Sequence, residues 1–164
     1  MNRFDKVDLI QAGLRKGFQN GTSKMAGRKC YGYDCTVDGT LGINPDEAKV
    51  VRWIFDRYLV GDSLGQIAAG LERKGIPSPS GKVQWNREAL NKLLFNEKYV
   101  GQVLLQRTVT TGFIQIKNDS YAAQYFYPDH HDAIITEKQF EAVQRAKQIR
   151  AKISEFQFSI MKQF

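Results

Sequence analysis

Four polar side chains within nine residues, Gln84, Arg87, Asn91 and Lys92, are the part of this sequence best suited to reading another molecule. On a helix Asn91 and Lys92 would point outward, with Arg87 on the flank. An arginine fork matches N7 and O6 of guanine, an asparagine amide matches N6 and N7 of adenine, and a lysine reaches a phosphate or a base edge. Just upstream, Ser78, Ser80 and Lys82, together with the free N–H groups of a helix start, have the chemistry of phosphate ligands. Periodicity alone leaves a plainer reading open, because any solvated surface helix carries a polar outer face.

Other reactive types are less well arranged. Cys30 and Cys35 flank Tyr31-Gly32-Tyr33 in an expected strand, where an odd separation sends them to opposite faces, a poor start for a metal site. His131 beside Asp132 has the types of a base and its orienting partner, but no nucleophile accompanies them, and a loop before a helix accounts for the pair. Gly61, Gly65, Gly70 and Gly75 lack the spacing of a phosphate-cradling loop and read as helix ends and close-packing points. Trp53 and Trp85 read as apolar anchors. No catalytic residue, metal or cofactor is expected.

The elements that must hold the polar cluster follow from periodicity and punctuation. Val7, Ile10, Leu14 and Phe18 form the stripe of an amphipathic helix over 4–19, which Asn20-Gly21 stops. Residues 22–29 are aperiodic and carry Lys24, Arg28 and Lys29, so they read as an extended basic arm. A hairpin is expected from Tyr31 to Ile43, turning near Asp38-Gly39. Asn44-Pro45-Asp46-Glu47 then supplies a cap, a first-position proline and a glutamate that can reach back to the cap. That helix runs to about Leu59, buries Val50, Val51, Ile54, Phe55 and Tyr58, and stops at Gly61.

Ser63-Leu64-Gly65-Gln66 opens a second helix, which buries Ile67, Ala68 and Leu71 and ends at Gly75. The prolines of Ile76-Pro77-Ser78-Pro79-Ser80-Gly81-Lys82 enforce a loop. Asn86 caps a third helix to about Phe95, with Ala89, Leu90, Leu93 and Leu94 inward, Glu88, Asn91 and Lys92 outward, and Arg87 on the flank. The helix over 63–74 would brace the helix over 86–95, whose outer side suits a major groove about 12 Å wide. Their connection, about eleven residues, is longer than a tight turn. Residues 99–117 read as a hairpin of Val100, Val103 and Leu105 against Phe113, Ile114 and Ile116, and Tyr125-Phe126-Tyr127 as a further strand. A last helix opens at Thr136 with Phe140, Val143 and Ala146 inward. Beyond Lys152, the stripe Ile153, Phe156, Ile160, Phe164 either extends it or belongs to a linker. The expected class is α+β, a helix-rich domain with a helix-turn-helix-like pair and a small antiparallel sheet.

Composition bounds the function. The 164 residues hold 24 Lys+Arg against 17 Asp+Glu, a formal charge of +7, with 42% hydrophobic residues, which excludes a wholly disordered chain. Folding at this size hides roughly 69% of the unfolded surface, so the two cysteines are not needed as a scaffold. No run of eighteen apolar residues predicts a membrane span, and Met1-Asn2-Arg3-Phe4-Asp5-Lys6 leads into no apolar signal region. Charge is unevenly placed: residues 1–30 and 63–118 each carry +5, whereas 31–62 and 119–135 each carry −3. Two basic stretches around an acidic one point to a polyanion partner, with a merely solubilising charge as the alternative.

A longer pattern narrows this. Gly32-Tyr33-Asp34; Asn44-Pro45-Asp46-Glu47-Ala48 with Val51, Ile54 and Phe55; and the run from Gly61 and Ser63-Leu64 through Ile67-Ala68, Leu71 and Gly75-Ile76-Pro77-Ser78-Pro79-Ser80-Gly81-Lys82 occur in order. Trp85, Leu94, Asn96, Tyr99, Gly101, Val103-Leu104-Leu105-Gln106-Arg107-Thr108 and Ile134-Ile135-Thr136 with Phe140 and Val143-Gln144 follow. Over roughly residues 5–150 this resembles the recombinase domain of the large serine recombinases.

The resemblance implies a sequence-specific duplex-DNA-binding module of a site-specific, phage- or transposon-type integrase, reading part of an attachment half-site. It implies residues 1–29 as the end of a joining helix and a basic arm lying along the minor groove, 30–152 as the DNA-binding domain, and 153–164 as a linker or truncated helix. The family's serine-bearing segment and the four cysteines of its zinc ribbon have no counterpart here, so the chain is expected to bind DNA without cutting it. Other recombinase subunits would be met through domains outside it, in the cytoplasm of a bacterial cell, at the nucleoid. A stand-alone transcriptional regulator using the same helices, or a protein-interaction module using the terminal apolar stripe, are the rival readings.

Overall fold

The computed structural model describes residues 3–20, 23–24, 26–37, 39–111 and 114–161. Asp38 of the expected turn, Thr22 and Met25 of the arm, Gly21, Phe113 and Phe164 lie outside these, as do the side chains of Val7 and Ile160. The order is α1 (Arg3–Gln19), β1 (Tyr33–Cys35), β2 (Leu41–Ile43), α2 (Pro45–Val60), α3 (Leu64–Arg73), α4 (Arg87–Leu94), β3 (Val103–Leu105), β4 (Thr108–Thr111), β5 (Ile114–Lys117), β6 (Tyr125–Tyr127) and α5 (Glu137–Met161), an α+β fold. Among the described residues no helix is long and apolar enough to cross a membrane.

The helix starts follow the cap chemistry. Asn44 accepts the Glu47 N–H at 3.1 Å with Pro45 in first position. Glu47, however, does not close a capping box; its carboxylate accepts the Gly32 N–H at 2.7 Å and ties α2 to the turn before β1. Gly32 needs its missing side chain there, since φ is +96° and a Cβ would meet Ile134 Cδ1 at 2.8 Å. Ser63 and Gln66 do form the reciprocal capping box at the head of α3. Asn86 accepts the Glu88 N–H at 2.8 Å to start α4.

The main core gathers Val51, Ile54, Phe55 and Tyr58 of α2 with Ile67 and Leu71 of α3, Leu90 and Leu94 of α4, and Val143 of α5. Val50 is only half-buried. Ala89, expected inward, is exposed, because it lies about 100° round the helix from Leu90, on the flank turned to solvent. α5 packs with Phe140, Val143 and Ala146 and continues through Met161, so the stretch beyond Lys152 is helical. Ile153 and Phe156 stand exposed on that extension.

Sheet pairing differs from expectation. Among the described residues the small antiparallel sheet is divided into three two-stranded ribbons, β1–β2, β3–β6 and β4–β5. Residues 99–117 do hold a hairpin, but its first strand is Thr108–Thr111 against Ile114–Lys117, while Val103 pairs with Tyr127 and Leu105 with Tyr125. The reason is local: Gln106 turns left-handed at φ 63° between β3 and β4. Asn118 then seals the break, donating to the carbonyls of Gln106 and Ala122 and accepting the Ala122 N–H. Val100 falls in a 3-10 turn, Glu97–Val100.

A second, smaller cluster joins Phe18 of α1 to Ala26, Val103 and Leu105. The expected extended arm is turned and pinned instead. Ala26 enters this cluster, its N–H reaches the Ser23 carbonyl at 2.9 Å, and Lys98 Nζ donates to the carbonyls of Ala26 and Arg28 at 2.9 and 2.7 Å. Along α1, Leu9, Ile10 and Leu14 remain exposed.

Candidate nucleic-acid interface

Arg87 and Lys92 stand on the outer side of a braced helix, Asn91 is half-buried there, and Gln84 lies in the loop before it. α4 sits on the core through Leu90, Leu93 and Leu94, and α3 supports it from behind. The connection is long but anchored: Trp85 is 4% exposed, donates Nε1–H to the Ile76 carbonyl at 2.9 Å, and meets Tyr31 edge-on at 5.3 Å. Trp53 lies against Gly70 of α3, where a Cβ would come within 2.8 Å of its ring.

Within the loop, Ser78 is buried. Its N–H donates to the Lys82 carbonyl at 2.8 Å, while its hydroxyl lies 3.1 Å from that of Ser80 and accepts the Lys82 N–H. Ser78 therefore shapes the loop, while Ser80, Lys82 and Gln84 face solvent.

On α4 itself Arg87, Glu88 and Lys92 are exposed and Asn91 is half-buried. Arg87 lies over Gly65 of α3, whose missing Cβ leaves room for the guanidinium. Lys92 and Glu88 form an exposed ion pair at 2.8 Å, and the hydrogen bond from Lys92 holds the Glu88 carboxyl below the usual carboxylate range. Glu88 was expected only as an outward residue; beside Arg87 it adds an acceptor suited to a cytosine amino group. The end of α4 is held by α5, since Lys147 Nζ donates to the Asn91 carbonyl at 3.3 Å over the Phe95 ring. Burial pushes the Lys147 ammonium down to about 8.

The cations of residues 24–29 are on a different part of the surface. Lys24, Arg28 and Lys29 are exposed. Lys29 pairs with Asp34 at 2.8 Å, and Asn44 donates to the other oxygen of Asp34 at 2.9 Å. These hydrogen bonds hold the Asp34 carboxyl down, and the one from Lys29 raises its own ammonium. Beside Arg28 and Lys29 lie Arg15, Lys98 and Arg107, which sequence reasoning did not select. They come from three separate elements, and no local spacing links them.

The other reactive groups serve the fold. His131 Nε2 lies 2.7 Å from the Lys98 carbonyl and its Nδ1 lies 3.1 Å from Nδ1 of His130. The Tyr33 hydroxyl contacts the carbonyls of Lys98 and Asp132. Cys30 is half-buried, and burial pushes its thiol up to about 11, whereas Cys35 is exposed. Among the described residues no three His, Cys, Asp or Glu gather as a metal site.

Comparison with known proteins adds to this geometry. The family model described as Recombinase matches residues 45–150. A chain from the "Crystal Structure of a LSR-DNA Complex" superposes with a TM-score of 0.58 and 26% identity, over 87% of this chain and 38% of that chain. A chain from a structure on the "Sequence Requirements of the Listeria innocua prophage attP site" superposes with a TM-score of 0.55 and 26% identity, over 82% of this chain and 51% of that chain. The present chain thus spans about two-fifths to one-half of the length of these two structures.

Proposed function

Since the chain belongs to the Recombinase family, as the recombinase domain of the large serine recombinases, we propose that it grips duplex DNA at a recombination attachment site. The observation that carries this reading is the open, cation-bearing outer side of α4, seated on α3 as a helix-turn-helix requires. Arg87 and Asn91 read base edges in the major groove, with Lys92 and Gln84 beside them. Ser80, Lys82 and the N–H groups at the head of α4 take a phosphate, on a loop that Ser78 holds in shape. Lys24, Arg28 and Lys29 follow the adjoining minor groove, whose narrow stretches attract cations.

In this reading residues 1–29 connect to a serine-bearing domain that performs strand exchange, residues 30–152 read the half-site, and 153–164 lead onward. Other subunits of the recombinase meet through parts outside these residues, at the nucleoid of a bacterial cell. Selecting bound duplexes from a random pool tests it. A recurrent motif is expected, and Arg87→Ala or Asn91→Ala should cost roughly 1–3 kcal/mol on that motif and relax one position of it. A pool that yields no motif, or variants that bind it like the parent, overturns the reading.

A further inference from the structure

A groove of about 710 Å3 runs between the end of α1, residues 28–30, the 3-10 turn and the β4–β5 ribbon. Cations from four parts of the chain converge on it: Arg15 from α1, Arg28 with Lys29, Lys98 from the 3-10 turn, and Arg107 from the bend between β3 and β4. One acid, Glu97, is among the lining residues. It is 14% exposed, ion-paired with Arg107, and accepts the Leu104 N–H with its other oxygen at 3.3 Å, so it is already committed. Arg15 and Arg28 make no side-chain hydrogen bond or ion pair with any described residue. The neighbouring wall is polar, with Gln115 donating to Thr108 at 2.9 Å.

Gathering like charges in one concave surface disfavours the compact state unless an anion answers them. Among the described residues two carboxylates are committed to these five cations, Glu97 to Arg107 and Asp34 to Lys29, which leaves Arg15, Arg28 and Lys98 without an acidic partner. A concave surface with several unanswered cations from separate segments suits a ligand that carries more than one negative charge. We propose that this groove carries a phosphodiester strand of the duplex, as a contact separate from α4; the proposal rests on the DNA-binding reading above. Arg15, Arg28 and Arg107 meet phosphates there. Lys98, with two of its N–H groups on the carbonyls of Ala26 and Arg28, is a positioning residue that holds Arg28 at the rim.

The test uses the full chain and a labelled random-sequence duplex, with affinity measured across a salt series. Each phosphate neutralised contributes roughly 0.9 to the slope of log affinity against log salt. Arg15→Gln and Arg28→Gln should each lower the slope by about 1, the double variant by about 2, and Gln115→Lys should raise it by about 1. Neither arginine carries a described side-chain contact, so thermal melts of these variants should match the parent. Slopes unchanged in all of them, while Arg87→Ala weakens binding to the selected motif, remove the groove and leave α4 in place. A parent that ignores duplex DNA at every salt removes the underlying reading, and the groove with it.

Discussion

The guanidinium of Arg87 lies against the backbone of Gly65, so closely that a Cβ at Gly65 would sit 3.1 Å from Nη2. The bracing helix thereby sets the direction of the first side chain of the helix it supports. Gly65→Ala should separate stability from recognition. An alanine favours α3 by up to about 1 kcal/mol, and Arg87, being exposed and long, can move aside. The melting temperature should hold or rise while affinity for the selected motif falls, by less than the roughly 1–3 kcal/mol expected of Arg87→Ala. Calorimetry and titration of the same preparation check both halves.

Asp34 competes with any phosphate for Lys29. Removing its charge with Asp34→Asn keeps a partner for Asn44 and frees the ammonium. Binding to random duplex should strengthen, and its loss between 50 and 200 mM salt should steepen by about threefold, the effect of one added phosphate contact. Stability should change little, since the pair is more than half exposed. A salt titration of parent and variant decides it.

The histidine pair predicts a pH dependence of folding. Burial holds both imidazoles below their ordinary value of 6.5; the Lys98 ammonium adds to this at each, while the Lys98 carbonyl and Asp132 oppose it at His131. The unfolded chain therefore takes up protons first as pH falls. The contribution is complete above 6.5, is lost as pH drops through 6.5 toward the folded values, and levels off below them. Asp34 and Glu88, held below the carboxylate range, act only at lower pH. Denaturant unfolding at pH 8, 7, 6 and 5 should show a decline over the last two steps, and replacing both histidines with glutamine should flatten it.

Gly101 and Gly39 share a left-handed backbone but not surroundings. At Gly101, with φ +79°, a Cβ would meet the His131 carbonyl oxygen at 2.5 Å, and this is backbone that cannot turn away. At Gly39, with φ +82°, nothing lies within 4 Å. Gly39→Ala should cost about 1 kcal/mol of conformational strain, and Gly101→Ala about 3 kcal/mol or more, because overlap adds to strain. Parallel unfolding curves test the difference.

The helices were legible because their signals are local. Asn44, Ser63 and Asn86 cap where a side-chain acceptor precedes an apolar stripe, and each bonds the N–H that chemistry assigns it. The polar side of α4 was legible for the same reason. Strand partners were not. Nothing in the spacing of Val103 and Leu105 reveals that Gln106 turns left-handed or that Asn118 fastens the bend, so the nearer apolar run looked like the partner. Residues 22–29 looked like an arm because Lys98, more than seventy positions downstream of Ala26, supplies the hydrogen bonds that pin Ala26 and Arg28. The cationic groove is assembled from four distant segments and has no signature in one dimension.

α1 joins the body over its last turn, through Phe18 in the smaller apolar cluster and through the Tyr127 hydroxyl, which reaches the carbonyls of Phe18 and Gln19 at 2.5 and 2.8 Å. The preceding Leu9 and Ile10 are exposed, and Leu14 lies half exposed on the wall of the cationic groove. A pull or twist applied at the far end of that rod therefore enters the body at the β3–β6 ribbon, through Phe18 and the Tyr127 hydroxyl.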